Sequence, residues 1–279
     1  MKNKATVLVT TDFSTNSKAA IRFALQLATQ MPCKLVFYHV LEFMTPLAWN
    51  AERAASFTER QIEKSKKELK QLLKSMYKEA KMLTKDYEYE VEVGMDVDNM
   101  IIKHAEKINA NYISMSTRGA GVLKKFIGTN ASSLVSTSPI PVIVVPKKYR
   151  VKSINKVAYS SDFDNIAAEL AVVKDFAAPL NAKIDVYHFH YKVHETHNKA
   201  AFKNIIDTYQ SGNVSIHIPP LFMEYSLIDN LQLVIKKEKP SLLVMFTKHK
   251  HNWLERFFIE SRTADMTFNI KIPLLAIRK

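Results

Sequence analysis

Apolar residues along this chain come in short β-rich runs separated by stretches with helical spacing. Lys4–Thr11 is such a run, and beyond it Ala20, Phe23, Ala24, Leu27 and Ala28 fall on one face of a helix. Ser14 stands where a cap for that helix is expected, and Pro32 ends it. Lys34–Leu41 predicts a second strand. A polar and aromatic connection, Glu42–Ser56, then leads to an amphipathic helix over Arg60 to Lys85, with Leu69, Leu72, Leu73, Met76 and Ala80 at helical spacing. Tyr87–Val93 alternates as a strand should, and Asp96 begins a helix through Ile108. Asn111–Ser116 predicts a fourth strand, Thr129–Ser138 a short helix and Pro141–Val145 a fifth strand. Alternation of strand and helix implies a mostly parallel sheet with helices on both faces.

The pattern then repeats. Val7-Leu8-Val9-Thr10-Thr11-Asp12-Phe13-Ser14 returns 150 positions later as Val157-Ala158-Tyr159-Ser160-Ser161-Asp162-Phe163-Asp164. Lys34-Leu35-Val36-Phe37-Tyr38-His39-Val40 is echoed by Lys183-Ile184-Asp185-Val186-Tyr187-His188-Phe189, and Ile140-Pro141-Val142-Ile143-Val144-Val145 by Ile272-Pro273-Leu274-Leu275-Ala276-Ile277. Ordered matches over two long stretches mean duplicated domains, since solenoid repeats are much shorter. The second copy reads as strands Asn155–Ser161, Lys183–His190, Asn213–Pro219, Ser241–Thr247 and Ile272–Arg278. The expectation is two α/β domains, residues 1–148 and 153–279, meeting near Lys147–Ser153. Each sheet is expected in the order 3-2-1-4-5. The two fifth strands should lie side by side, because an unpaired apolar edge is an aggregation hazard.

Composition narrows the function classes. The 279 residues suit two domains, and 47% hydrophobic with 24% charged residues is ordinary for a globular protein. No run has the length of a signal peptide or a membrane span. Cys33 is the single cysteine, so no internal disulfide forms, which fits a reducing, cytoplasmic setting. The net charge of +13 concentrates on Lys64, Lys66, Lys67, Lys70, Lys74, Lys78 and Lys81 of the long helix, interspersed with Glu59, Glu63, Glu68 and Glu79. That is a solvated helix face first and a polyanion surface second. No zinc finger, RNP-type aromatic motif or helix-turn-helix accompanies it, so nucleic acid is not the leading partner.

The chemistry points elsewhere. In open α/β sheets ligands bind beyond the carboxyl ends of the strands. Asp12, Val40 and the loop after Ser116 all fall at such ends. Gly119 and Gly128 let backbone N–H groups approach a phosphate with no Cβ in the way. Thr129 and Asn130 open a helix whose N-terminus favours an anion, and Asp12 can accept from a ribose hydroxyl. The second copy has Lys248-His249-Lys250-His251 and Glu260-Ser261-Arg262 in the matching places, with no glycine. A side chain at Lys250 and a carboxylate at Glu260 oppose a phosphate there.

With Thr11-Asp12-Phe13-Ser14, the Tyr38-His39-Val40 strand ending and a loop closing on Gly128-Thr129, the chain resembles the universal stress proteins in their tandem form, over essentially its whole length. The resemblance implies two Rossmann-like domains of the adenine nucleotide alpha hydrolase type. It implies that Thr11 and Asp12 hold the ribose and adenine side, and that the Val40 backbone reads the adenine edge. Gly119, Gly128, Thr129 and Asn130 would hold the phosphates, with Met115 and Ser116 at the strand end completing the set. The implied cofactor is ATP, or ADP or AMP, with Mg²⁺ as an optional companion. Two departures stand out. Ser116 replaces the first glycine of the family's ATP-binding loop, and Ala120–Ile127 is one residue short of the nine that separate its last two glycines. The resemblance also implies an internal pseudo-dimer of the two domains, with a homodimer as a further option.

Other features have plainer readings. His188, His190, His194 and His197 cluster along the chain, with His249 and His251 expected near them across the sheet ends, but the spacing matches no metal motif. Cys33 reads as a small buried hydrophobe, and Trp253, Phe257 and Phe258 as an apolar face over the degenerate second site. Three functions stay open: a regulatory nucleotide-binding stress protein, a slow ATPase or autophosphorylating protein, and an interaction protein with both sites vestigial. Against catalysis, there is no Walker lysine and no carboxylate pair flanking the loop.

Overall fold

The computed structural model describes residues 4–82, 87–117, 129–189, 195–247 and 272–279. The first half runs β1 (Ala5–Thr10), α1 (Lys18–Gln30), β2 (Cys33–Leu41), α2 (Ala51–Glu79), β3 (Glu88–Val93), α3 (Val97–Lys107), β4 (Tyr112–Ser116), α4 (Thr129–Thr137) and β5 (Val142–Val145). The second half runs β6 (Lys156–Ser160), α5 (Ile166–Ala177), β7 (Lys183–Tyr187), α6 (Glu195–Tyr209), β8 (Val214–His217), α7 (Leu227–Glu238), β9 (Leu242–Thr247) and β10 (Leu274–Arg278).

The strands form one sheet in the order β3-β2-β1-β4-β5-β10-β9-β6-β7-β8. Each half taken alone is parallel with the order 3-2-1-4-5. The halves follow one another without interleaving and meet where β5 and β10 pair antiparallel, with Leu274 opposite Val144, Leu275 opposite Ile143 and Ala276 opposite Val142. Both strands are apolar because both faces at this junction are covered; every residue of β5 is buried.

Alternation along β1 sorts the core into two layers. Val7 and Val9 face Phe23, Leu27, Leu69 and Leu73, while Leu8 faces Ile101, Leu134 and Val135 on the other side. Each layer continues into the second half. On the first face Val157, Leu170, Val173 and Leu275 belong to the same cluster as Val7, and Tyr112 meets Phe176 with ring centroids 5.5 Å apart. The connection between halves is packed as well. Tyr149 is buried edge-on to Phe23, and the Gln30 amide donates to Ser153 Oγ (2.9 Å) while its Oε1 accepts from Ile154 N (2.8 Å).

Two local expectations are corrected. The long helix starts at Ala51, inside the stretch read as a connection, because Asn50 Oδ1 accepts from Arg53 N (2.9 Å) and caps it. Phe43 and Trp49 fold back onto Phe57, and the Arg53 guanidinium lies 4.5 Å from the Trp49 ring centroid, so the aromatic connection closes on the helix's first turns. The buried residues of α2 are Ser65, Leu69, Leu73, Met76 and Tyr77, all in its second part, and no residue from Ala51 to Lys64 is buried. At the other helix, α1 begins at Lys18 rather than directly after Ser14. Ser14 Oγ accepts from Ser17 N (3.1 Å) and so closes a tight turn that precedes the helix.

Candidate functional site

The carboxyl ends of β1 and β4 are neighbours, and strand order reverses between them: β2 follows on one side and β5 on the other. This is the switch point at which an open α/β sheet leaves a crevice. Thr11, buried, extends the β1 pairing through its N–H to Tyr38 O (3.0 Å). Its Oγ1 lies 2.9 Å from Ser17 Oγ and accepts from Phe13 N (3.2 Å). Asp12 Oδ1 accepts from Ser14 N (3.1 Å), which sets the carboxylate at the strand end.

Phe13 has φ 62°, a left-handed conformation that is uncommon for a bulky residue. Its ring packs on His39, centroids 4.3 Å apart, and His39 Nδ1 lies 2.8 Å from Thr11 O. Burial pushes the His39 imidazole below its ordinary pKa, against the opposing pull of the Thr11 carbonyl and the Asp12 carboxylate. The second half repeats the device. Phe163 has φ 67°, stacks on His188 at 4.1 Å, and His188 Nδ1 lies 3.0 Å from Ser161 O. Ser161 Oγ accepts from Phe163 N, and Asp162 Oδ1 from Asp164 N. The repeated Asp-Phe and Tyr-His phrases are therefore a folding element that turns the chain at a strand end in both halves. The sequence shows His39 and His188 in an echoed strand ending, and His188 also in a histidine cluster, without assigning either this contact. Their recurrence one position beyond a buried tyrosine in both copies was the available signal.

At the end of β4, Met115 and Ser116 are buried, and Thr117 N donates to Val145 O (2.9 Å). Ser116 is 7% exposed and its Oγ has no hydrogen-bond partner among the described residues. A buried hydroxyl without a partner costs free energy unless water or another group meets it. Val40 is half-buried at the end of β2, and Gly94 N donates to Leu41 O (3.1 Å) just beyond it. Thr129 opens α4, Asn130 follows half-buried, and no acidic residue occupies the helix's first turn. The fold thus brings Thr11, Asp12, Met115 and Ser116 to adjacent strand ends, with Val40 on the flanking strand. Gly119 and Gly128 lie outside the described residues, as do Lys248–His251, Trp253, Phe257, Phe258 and Glu260–Arg262 of the second half.

A second polar cluster lies under the helix-covered face and was not anticipated. The Tyr38 hydroxyl donates to Glu92 Oε2 (2.9 Å), His104 Nδ1 lies 3.2 Å from Glu92 Oε1, and the Tyr38 and His104 rings stack at 4.2 Å. Burial, reinforced by Glu92, drives the Tyr38 phenol far above its ordinary range, so it stays a donor. Among the described residues no three His, Cys, Asp or Glu side chains converge as a metal ion requires. His190 and His194 lie outside those residues, and His188 is engaged as above.

Two doubly wound α/β halves, joined through their last strands and each reversing strand order between its first and fourth strands, define the class: tandem Rossmann-like domains. The family model of the universal stress proteins matches residues 5–146, half of the chain, and the chain belongs to that family. A universal stress protein from Archaeoglobus fulgidus has the same fold over 98% of both chains, at 15% identity and a TM-score of 0.68. A protein of unknown function from Pseudomonas aeruginosa matches over 99% of this chain and 92% of its own, at 12% identity and a TM-score of 0.57. Comparison with curated proteins gave no match. Among the described residues, no helix is long and apolar enough to cross a membrane.

Proposed function

We propose that this chain is a regulatory stress-response protein that binds an adenine nucleotide, ATP or its di- or monophosphate, in its first half only. The observation that carries this reading is the unpartnered Ser116 hydroxyl, buried at the switch point beside the strand end that holds Thr11 and Asp12. In this reading Asp12 accepts from the ribose and the Val40 backbone meets the adenine edge. Ser116 takes over the role of the missing glycine by donating its hydroxyl toward the ribose or first phosphate. Gly119 and Gly128, with Thr129 and Asn130 at the start of α4, carry the remaining phosphates on backbone N–H groups. Mg²⁺ would accompany the phosphates rather than a protein carboxylate cage. Residues 1–148 and 153–279 act as two domains of an internal pseudo-dimer, the second a non-binding partner. The role is binding rather than turnover, since the sequence has no Walker lysine and no carboxylate pair flanking the glycine loop.

Thermal denaturation with and without ATP tests this. At a ligand concentration 100-fold above Kd the folded state gains about 2.7 kcal/mol, a readily measured shift in Tm. Gly128→Asp should abolish the shift and Glu260→Ala should leave it unchanged. No shift with wild-type protein favours an interaction protein with both sites vestigial; loss of the shift in Glu260→Ala places the nucleotide in the wrong half.

A further inference from the structure

We infer that the strand-end site of the second half is a primary-ammonium site, and that its resident is the chain's own Lys279. The Lys279 Nζ lies 2.7 Å from Glu169 Oε1, 2.9 Å from Asp162 Oδ2 and 3.0 Å from Asp162 Oδ1. Glu169 is only 4% exposed, and its other oxygen accepts from the Tyr159 hydroxyl, which lies 3.0 Å from Ser161 Oγ. The Lys279 backbone is fixed too, its N–H donating to Thr247 O (3.0 Å). Burial alone would lower the Lys279 ammonium; the Glu169 and Asp162 carboxylates outweigh it and hold the group above the ordinary lysine range.

The matching positions of the first half carry different residues. Its matching turn of α1 carries Ala19 and Ala20, both fully buried, Val9 stands in the place of Tyr159, and Lys147, the counterpart of Lys279, is exposed. Between the copies a buried alanine, Ala19, has been exchanged for a buried acid, Glu169. A buried carboxylate needs a cation, and the chain supplies it. The consequence is a change in the sign of ligand accepted. Asp162, the counterpart of Asp12, has both oxygens on Lys279, so a cation stands where the nucleotide reading of the first half places a ribose hydroxyl. That contrast rests on the nucleotide reading of the first half; the ammonium site rests on its own distances.

Chemical rescue in the full-length protein tests it. Lys279→Ala should lower Tm by several degrees, and propylammonium chloride should restore at least half of the loss. Tetramethylammonium at equal ionic strength, which cannot donate, should restore nothing, and wild-type protein should not respond to either. Adding Glu169→Gln to Lys279→Ala should abolish the rescue. Equal stabilisation of wild type, or rescue by both cations alike, overturns the inference. Should Lys279→Ala fail to fold, ¹⁵N spectra of lysine side chains in the wild-type protein read the same contact. A Lys279 ammonium protected from solvent exchange is expected, to be lost in Asp162→Asn; its absence from the wild-type spectrum overturns the site. An ATP melt of the wild type reports the first-half reading alone, so the two claims fail separately.

Discussion

Truncating Ile143 to alanine probes the junction on which the ten-strand sheet depends. Ile143 sits on β5 opposite Leu275 of β10, and both side chains are fully buried. The substitution removes three carbons, worth about 2.4 kcal/mol at about 0.8 kcal/mol each. A residual cavity raises the total to about 3–4 kcal/mol, within the range of large-to-small core changes. Leu275→Ala should cost a similar amount. Because the two side chains share one layer of packing, the double variant should lose less than the sum, with a coupling of about 1–2 kcal/mol. Urea unfolding followed by circular dichroism gives the three free energies, and hydrogen exchange resolved by mass spectrometry assigns them to each half. Destabilisation by Ile143→Ala should reach β6 and β9 of the second half as well as β1 and β4. Additivity within about 0.5 kcal/mol, or loss of protection confined to residues before Val145, would refute the argument that the halves share one core.

Two further outcomes follow from buried groups. His39 has its pKa depressed below 6.5 by burial, so its contribution to stability is present in full above about pH 6.5 and is lost as pH falls through the folded value. Wild type should be measurably weaker at pH 5 than at pH 7.5, His39→Gln should flatten that part of the profile, and an NMR titration placing the ring above 6.5 would contradict it. Burial pushes the Cys33 thiol from 9.0 to about 11, leaving roughly a hundredfold less thiolate near pH 8. A disulfide reagent should therefore react far faster after unfolding in urea than with native protein, and comparable rates would show that Cys33 is not sheltered.

Strand and helix order, the duplication, and the position of Asp12, Val40 and Ser116 at strand ends were legible in the chain, because each rests on local periodicity. A buried parallel strand must be apolar along its length, and Val142–Val145 and Leu274–Ile277 advertise that whatever they pair with. The capped start of α2 was less legible. Asn50 is a fitting cap, but Phe43 and Trp49 have meaning only once they are folded against Phe57. The antiparallel register of β5 on β10 needed the tertiary structure, since apolar runs of this kind fit several partners equally well. So did the roles of His39 and His188, which depend on a left-handed phenylalanine more than two dozen residues away along the chain. Most of all, no local pattern announces that Lys279 reaches Asp162 and Glu169 across 117 and 110 positions of sequence. Charge pairing of that range is set by where strands end in space, and pattern along the chain carries no such information.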